Sequence, residues 1–366
     1  MVTKKSVKKM EKNQEISIDW KIPAAFIAGI LITALVFILP GASVPADNEG
    51  SGLQTEDASV SLVILNDASC TICDDSWIES SLLNYFPNME VDYVDINSAQ
   101  GQEYADDLSI TQLPAAFFSA DVENAGNFSM FVNNSWISET GDYYTLHILG
   151  VKDLTRTETS NPTVDLFVMS QCPYGKPAQT NMINAHELIP GFDLNIHYIG
   201  NIITAEEMAT LSAEYQDYYI NTGCVQDSNG DYYCSLHGKL EVWNNTAQLC
   251  AIQYYEDWEQ FILADIENGM NVNETIQEMG YDEELMNNCI YSDMGLQLFA
   301  ESMALPEELG LGSSPSYLFD NNIPVILGQT PVPSYDPVVL LCTLHPELSG
   351  CESTSSLSTE TATGSC

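Results

Sequence analysis

Among the residues able to carry covalent chemistry, the ten cysteines stand out, and two of them form a C-x-x-C, Cys70-Thr71-Ile72-Cys73. A β-branched apolar run from Val60 to Leu65 leads into it, and Ser76 to Tyr85 reads as a helix. Strand, short polar turn and helix place both thiols on the first helical turn, where unpaired backbone N–H groups and the positive end of the dipole favour a thiolate. Cys70 is then the exposed nucleophile and Cys73 the resolver that releases a mixed disulfide. Half of a zinc site and a static bridge are the competing readings. Zinc needs four ligands, and the chain has no second C-x-x-C and no H-x-H to complete the set. Asp74 and Asp75 favour the helix start but raise a nearby thiol pKa, which leaves the redox poise open.

A second thiol sits in a similar setting about 100 residues on. Val164 to Met169 reads as a strand, Ser170-Gln171-Cys172-Pro173-Tyr174-Gly175 as a turn, Ala178 to Leu188 as a helix and Leu194 to Ile199 as a further strand. Gly175 stands where a resolving cysteine would be. Three readings of Cys172 stay open: a reactive thiol beside Lys176 that forms mixed disulfides without resolving them, an inert packing residue, and a relay partner for Cys70 and Cys73. Each half also carries a proline just before an apolar strand, Pro114 ahead of Ala115-Ala116-Phe117-Phe118 and Pro315 ahead of Ser316-Tyr317-Leu318-Phe319.

Proximity in sequence suggests three structural pairs. Cys224 and Cys234 flank a turn with Asn229-Gly230 that favours a tight hairpin. Cys250 with Cys289 would staple helices, and Cys342 with Cys351 would close a short loop. Each bridge is worth on the order of 2–4 kcal/mol. Cys172 and Cys366 are left over. Cys234, His237 and Glu241 read as a disulfide half, a turn and a helix-start acid before they read as a metal cluster. Asp227 to Asp231 is a turn before it is a calcium loop. His147, His186, His197 and His345 are isolated in sequence and read as structural. Neither a metal nor an organic cofactor is expected; the redox-active cysteines carry the chemistry.

The elements that must position these residues divide the chain as follows. Residues 1–21 form a basic segment, 22–46 a transmembrane anchor or signal, and 47–58 a polar linker. A first α/β domain spans 59–154. Within it, Val91 to Ile96 reads as a strand, Gln100 to Leu108 as a helix, and Gly141 to Tyr144 as a turn into a closing strand. A linker at 155–162 precedes a second domain at 163–351, interrupted by a helix-rich insertion at 203–308. Asp320 to Asn322 turns the last hairpin. The Ser/Thr-rich tail, 352–366, reads as disordered.

Charge narrows the function. There are 52 acidic against 10 basic residues, a formal net charge of −42, and only Lys152, Arg156, Lys176 and Lys239 lie beyond residue 21. Nucleic-acid binding needs clustered Lys and Arg, so it is excluded as a function class. A halophilic source and an acidic exported protein explain the charge equally well, because salt screens self-repulsion. Residues 22–46 carry no charge and have an apolar heart from Ala24 to Leu39. Six lysines precede it, so the N-terminus is expected in the cytoplasm and the bulk outside, where disulfides persist. Four N-x-S/T sequons, at Asn127, Asn133, Asn244 and Asn273, are consistent with an exported surface.

Strand, C-x-x-C, helix and late proline together resemble thioredoxin, and the second unit with its inserted helices resembles the DsbA-like group. The insertion is similar to the gamma-interferon-inducible lysosomal thiol reductase family. Cys234, His237-Gly238, Glu241, Asn245 and Cys250 follow that family's signature, with one extra residue after Cys234 and Val242 in place of a cysteine. The resemblance implies an α/β chain of two thioredoxin-like domains, each a central mixed sheet flanked by helices, the second with a helical insertion. It implies that Pro114 is cis, packs against the dithiol and follows backbone that pairs with extended substrate, the alternative being an ordinary trans proline at a strand start; Pro315 repeats the proline-before-strand device. The activity implied is membrane-anchored, extracytoplasmic thiol–disulfide oxidoreduction or isomerisation of exported protein disulfides and thiols, with an unidentified redox partner. The competing expectation is a non-enzymatic surface binding or chaperone module stapled by disulfides.

Overall fold

A computed structural model describes residues 59–352 and 364–366 of the chain. The expected basic segment, anchor and first linker, and most of the tail, lie outside the described residues. Among the described residues no helix is long and apolar enough to cross a membrane.

The first sheet grows around β1 (Val60–Asn66), whose side chains are buried almost throughout because both sheet faces are covered. Burial of Leu62, Ile64 and Leu65 contributes about 1.5–3 kcal/mol each. After the cysteine turn come α1 (Ser76–Leu82), β2 (Met89–Asp95) and α2 (Ala99–Asp107). The start of α2 is set by Ser98, whose Oγ accepts from the Gly101 N–H at 2.9 Å, a cap worth about 1 kcal/mol. β3 (Gln112–Leu113) and β4 (Ala115–Ser119) flank Pro114, and α3 (Phe128–Asn133) leads to the hairpin of β5 (Ile137–Thr140) and β6 (Tyr143–Leu146). The order is β2-β1-β4-β6-β5, with β1 parallel to β2 and antiparallel to β4. β7 (Lys152–Asp153) pairs with β3 in a separate two-stranded ladder.

The second sheet repeats this plan. β8 (Thr163–Val168) is followed by α4 (Gly175–Leu188) and β9 (Asp193–Tyr198). The insertion then begins with β10 (Asn201–Ile203), α5 (Ala205–Thr210), α6 (Ala213–Tyr218), β11 (Cys224–Gln226) and β12 (Tyr232–Cys234). It continues with α7 (Lys239–Tyr254), α8 (Trp258–Glu267), α9 (Val272–Met279), α10 (Glu283–Ile290) and α11 (Asp293–Glu308). β13 (Ser316–Phe319), β14 (Ile323–Ile326) and α12 (Pro337–Leu344) complete the unit. The order β9-β8-β13-β14, with β8 parallel to β9 and antiparallel to β13, matches β2-β1-β4-β6 strand for strand. The same mixed α/β plan is thus present twice.

Four details differ from the sequence reading. α1 ends at Leu82 rather than Tyr85. The insertion is not helical throughout, since β10, β12 and β11 form a three-stranded sheet. Residues 155–162 are no free linker: the Thr159 N–H donates to Asp320 O, and Arg156 Nε donates to Asn321 O at 2.8 Å. The two halves also share a core, with Ile72, Cys73 and Val151 buried in the same cluster as Leu166, Met182 and Leu341. Contact-poor linkers separate domains, and this junction is packed instead.

Candidate active site

Cys70 and Cys73 are joined in a disulfide at the carboxyl end of β1. They are not on the first turn of α1, as the sequence reading placed them; the helix begins three residues after Cys73. Local polar contacts hold the turn open. The Cys70 N–H donates to Asp67 O, and Asn66 Nδ2 donates both to Cys73 O at 2.8 Å and to Asp75 Oδ2 at 2.7 Å. Asp74 Oδ1 accepts from the Ser76 N–H, an Asx turn that delays the helix. The dipole argument for a depressed thiol pKa therefore loses its geometry, because that effect is confined to the first turn. Cys70 is half-buried and Cys73 only 5 % exposed.

The peptide bond before Pro114 is cis, and Pro114 is buried between β3 and β4. The backbone before it is not free to receive an extended substrate, which corrects the expectation attached to this proline. β7 already pairs there, Gln112 opposite Asp153 and Leu113 opposite Lys152, and the Val151 N–H donates to Leu113 O at 2.6 Å. Lys152 Nζ reaches Asp67 Oδ2 and Glu158 Oε2, each at 2.9 Å. Burial pushes the Asp67 carboxyl up, but hydrogen bonds from Ser69 and Lys152 outweigh it and hold the group below its ordinary range. For Lys152, burial works against the charge, while Asp67 and Glu158 raise the pKa overall. Asp67, three residues before Cys70, thus ties the cysteine turn to β7. The one sequence signal for this pair was the scarcity of lysine.

On its other side the Cys70 turn meets the second unit. Thr71 Oγ1 donates to Thr343 O at 3.1 Å, next to the Cys342–Cys351 disulfide. Cys172 packs in a different apolar cluster, with Phe167, Met169 and Leu318. The structure does not bring Cys172 into the packing around Cys70 and Cys73.

Cys172 is not left over as an unpaired thiol. It is fully buried and bonded to Cys366, which belongs to the tail expected to be disordered. Pro315 also follows a cis peptide bond, and Ser314 before it exchanges backbone hydrogen bonds with Cys366. The turn that presents Cys172 is held from α7. Glu241, fully buried, accepts from the Gln171 N–H at 2.8 Å, Ser235 Oγ at 2.7 Å and the His237 N–H at 3.0 Å. Asn244 Oδ1 accepts from Gln171 Nε2 and Asn245 Oδ1 from the Ser170 N–H. Glu241 is thus more than a helix-start acid, and the signature residues of the insertion act on the cysteine turn. Buried Asn244, 4 % exposed, is also closed to glycosylation, whereas Asn133 and Asn273 are exposed.

Cys224–Cys234, Cys250–Cys289 and Cys342–Cys351 are bonded, the first across the β11–β12 ladder. Of the isolated histidines, His186, His197 and His345 hydrogen-bond to Glu259, Asp165 and Asp320, and His147 to Ser135 O and Ser138. A cleft of about 540 Å³ between Gln112, Asp153, Arg156 and Asn321 contains no cysteine.

No family model matches the chain, and no curated protein matches it. Among solved structures it is similar to a thioredoxin-like oxidoreductase from Silicibacter pomeroyi DSS-3, at 21 % identity over 48 % of this chain and 87 % of that one, with a TM-score of 0.31. It is also similar to the cytosolic disulfide reductase DsbM from Pseudomonas aeruginosa, at 17 % identity over 42 % and 83 %, TM-score 0.29. DsbA of Pseudomonas aeruginosa matches at 11 % identity over 48 % and 81 %, TM-score 0.30.

Proposed function

We propose that this chain is a thiol–disulfide oxidoreductase or isomerase that works through a mixed disulfide at Cys70. The observation that carries the reading is the Cys70–Cys73 pair at the carboxyl end of a buried central strand, one sulfur half-buried and its partner enclosed, beside a cis-proline that enters the adjacent strand. In the reduced pair the Cys70 thiolate attacks a substrate disulfide and releases one substrate thiolate. Cys73 then attacks Cys70 Sγ, releases the second, and closes the Cys70–Cys73 bond. Two electrons pass to the substrate, and a dithiol reductant restores the pair; oxidation of substrates runs the same steps backwards. Protein or peptide disulfides outside the cytoplasm are the proposed substrates, reached by a chain anchored through residues 22–46 in its membrane. The acidic surface supports a high-salt or extracytoplasmic setting and speaks against nucleic acid.

The test compares reshuffling and reduction of a scrambled disulfide protein by the intact chain and by Cys70→Ser. Loss of turnover in the variant is expected; an unchanged rate overturns the reading. The potential of the Cys70–Cys73 couple then separates oxidant, isomerase and reductant.

One observation favours a second reading. With β7 seated along β3, the backbone before Pro114 is already paired, as it would be in a disulfide-stapled binding module with no catalytic role. Native thiol titration divides the two: a module keeps Cys70–Cys73 closed in mild reductant, whereas an enzyme opens it.

A further inference from the structure

We propose that Cys172 and Cys366 form a second redox couple, in which the segment 364–366 supplies the resolving thiol that position 175 lacks. The inference stands on the second unit alone and does not depend on Cys70 and Cys73.

Gly175 occupies the place that Cys73 holds in the first unit. A Cβ there would lie 2.7 Å from Ser314 Oγ, 2.9 Å from Met169 O and 3.3 Å from Cys172 Cβ. The Met169 carbonyl is backbone, so a side chain at 175 forces the cysteine turn to shift, and an internal resolver there is disfavoured. The sulfur bonded to Cys172 comes instead from Cys366.

Cys366 is docked by more than its sulfur. Its N–H donates to Ser314 O at 2.9 Å, and the Ser314 N–H donates to Cys366 O at 3.4 Å. This reciprocal pair is the unit of an antiparallel ladder, and it lays the segment along the backbone that precedes Pro315. Two residues earlier, Gly364 lies against the Tyr174 ring so closely that a Cβ would come within 2.6 Å of it. Cys366 also packs on the apolar cluster that buries Cys172. The segment therefore binds as an extended peptide binds a strand edge, with its thiol delivered to Cys172.

The exposure pattern suits an exchanging bond. Cys172 is fully buried and Cys366 only half-buried, so the attack is assigned to Cys366 Sγ, with Cys172 leaving as the thiolate. A small dithiol completes this opening, giving two electrons and two protons to the couple and ending as its own disulfide. In the reduced state, the Cys172 thiolate attacks one sulfur of a substrate disulfide and displaces the other as a thiolate. Cys366 then attacks Cys172 Sγ, displaces the first substrate sulfur, and re-forms Cys172–Cys366. The substrate sulfurs take up the two electrons and the two protons.

The experiment uses the full chain carrying Cys70→Ser and Cys73→Ser, so that only the second unit reports. The protein is reduced with dithiothreitol, freed of it, given oxidised glutathione, quenched in acid and weighed by mass spectrometry. With Cys366 present, two glutathione thiols are released and Cys172–Cys366 returns. With Cys366→Ser added, one glutathione stays on Cys172, at least about tenfold more abundant than in the parent. Gly364→Val retains both thiols but loses the seat on Tyr174, and its adduct persists longer than the parent's; this variant decides if Cys366→Ser does not fold. Equal adduct with and without Cys366 overturns the proposal, as does a Cys172–Cys366 bond that dithiothreitol leaves closed in the folded protein. Inactivity of Cys70→Ser in the protein-disulfide assay would leave this result unchanged.

Discussion

The Lys152 ammonium lies 2.9 Å from the Asp67 carboxylate and fastens β7 across the backbone that leads into Pro114. A single ion pair thus joins the turn of Cys70 to the strand that covers its neighbour. Asp67 is 5 % exposed and the Lys152 side chain 14 % exposed, so the pair is shielded from solvent screening far more than a surface bridge.

Lys152→Ala is expected to cost on the order of 1–3 kcal/mol in urea unfolding, because Asp67 is left buried with fewer donors. Hydrogen exchange should quicken at the amides of Val151 and Leu154, which donate to Leu113 O and Thr111 O. The pH profile should change at both ends. Asp67 is held low in the folded state, so its contribution is present above its ordinary value of 3.8 and is lost as pH falls through the folded pKa. Lys152 is raised above 10.5, so its contribution is present below that value and is lost as pH rises through the folded pKa. The variant lacks the alkaline slope and has a weaker acid slope, since Ser69 still donates to Asp67.

Cys73→Ser should hold substrate or glutathione on Cys70 as a lasting mixed disulfide, since the attacking thiol is gone and Cys70 remains reachable. Cys70→Ser should show at least about tenfold less adduct at position 73, whose sulfur is enclosed. Peptide mapping after acid quench reads both.

Glu241→Gln should destabilise the chain by about 1–3 kcal/mol, because one carboxylate oxygen is replaced by a donor facing donors. Gln171, Ser235 and His237 all donate to this side chain. Loss of protection at the Gln171 amide, beside Cys172, would distinguish a loosened cysteine turn from general softening.

Asp265 is fully buried among Gln248 and Thr275, and burial pushes its carboxyl up to about 6 against the lowering effect of their hydrogen bonds and of Lys176. A folded pKa above the ordinary 3.8 means that the contribution is fully present below 3.8 and is lost as pH rises through about 6. The loss is on the order of 2–3 kcal/mol. Asp265→Asn should abolish this slope, so that wild type and variant diverge between about pH 4 and pH 7 in thermal melts.

Gly175→Cys is the substitution that would restore a C-x-x-C in the second unit. It should destabilise by about 1–3 kcal/mol rather than create a working dithiol, because the new Cβ meets Met169 O and Ser314 Oγ. A variant as stable as the parent, with a 172–175 disulfide, would contradict this.

Much of the architecture was legible from local pattern. The β-branched runs that became β1 and β8, the two cysteine turns, the late prolines and the Asn229-Gly230 hairpin all follow from periodicity and turn chemistry, which act within a few residues. Other features depend on groups far apart in the chain. Asn66 and Asp75 keep Cys70 and Cys73 off the helix, a competition between side-chain and backbone hydrogen bonds that helix propensity does not register. Glu241 reaches back 70 residues to Gln171.

The C-x-x-C itself therefore came from sequence alone: two thiols, three residues apart, after a buried strand. Which backbone edges remain open beside the cysteines was decided only by tertiary structure. β7 lies on β3 because Lys152 finds Asp67 85 residues away, and Cys366 finds Cys172 across 194 residues because Ser314 offers it an N–H and a carbonyl. Pairing of this kind depends on where the fold leaves unsatisfied backbone groups, and a linear pattern of residue types does not contain that information.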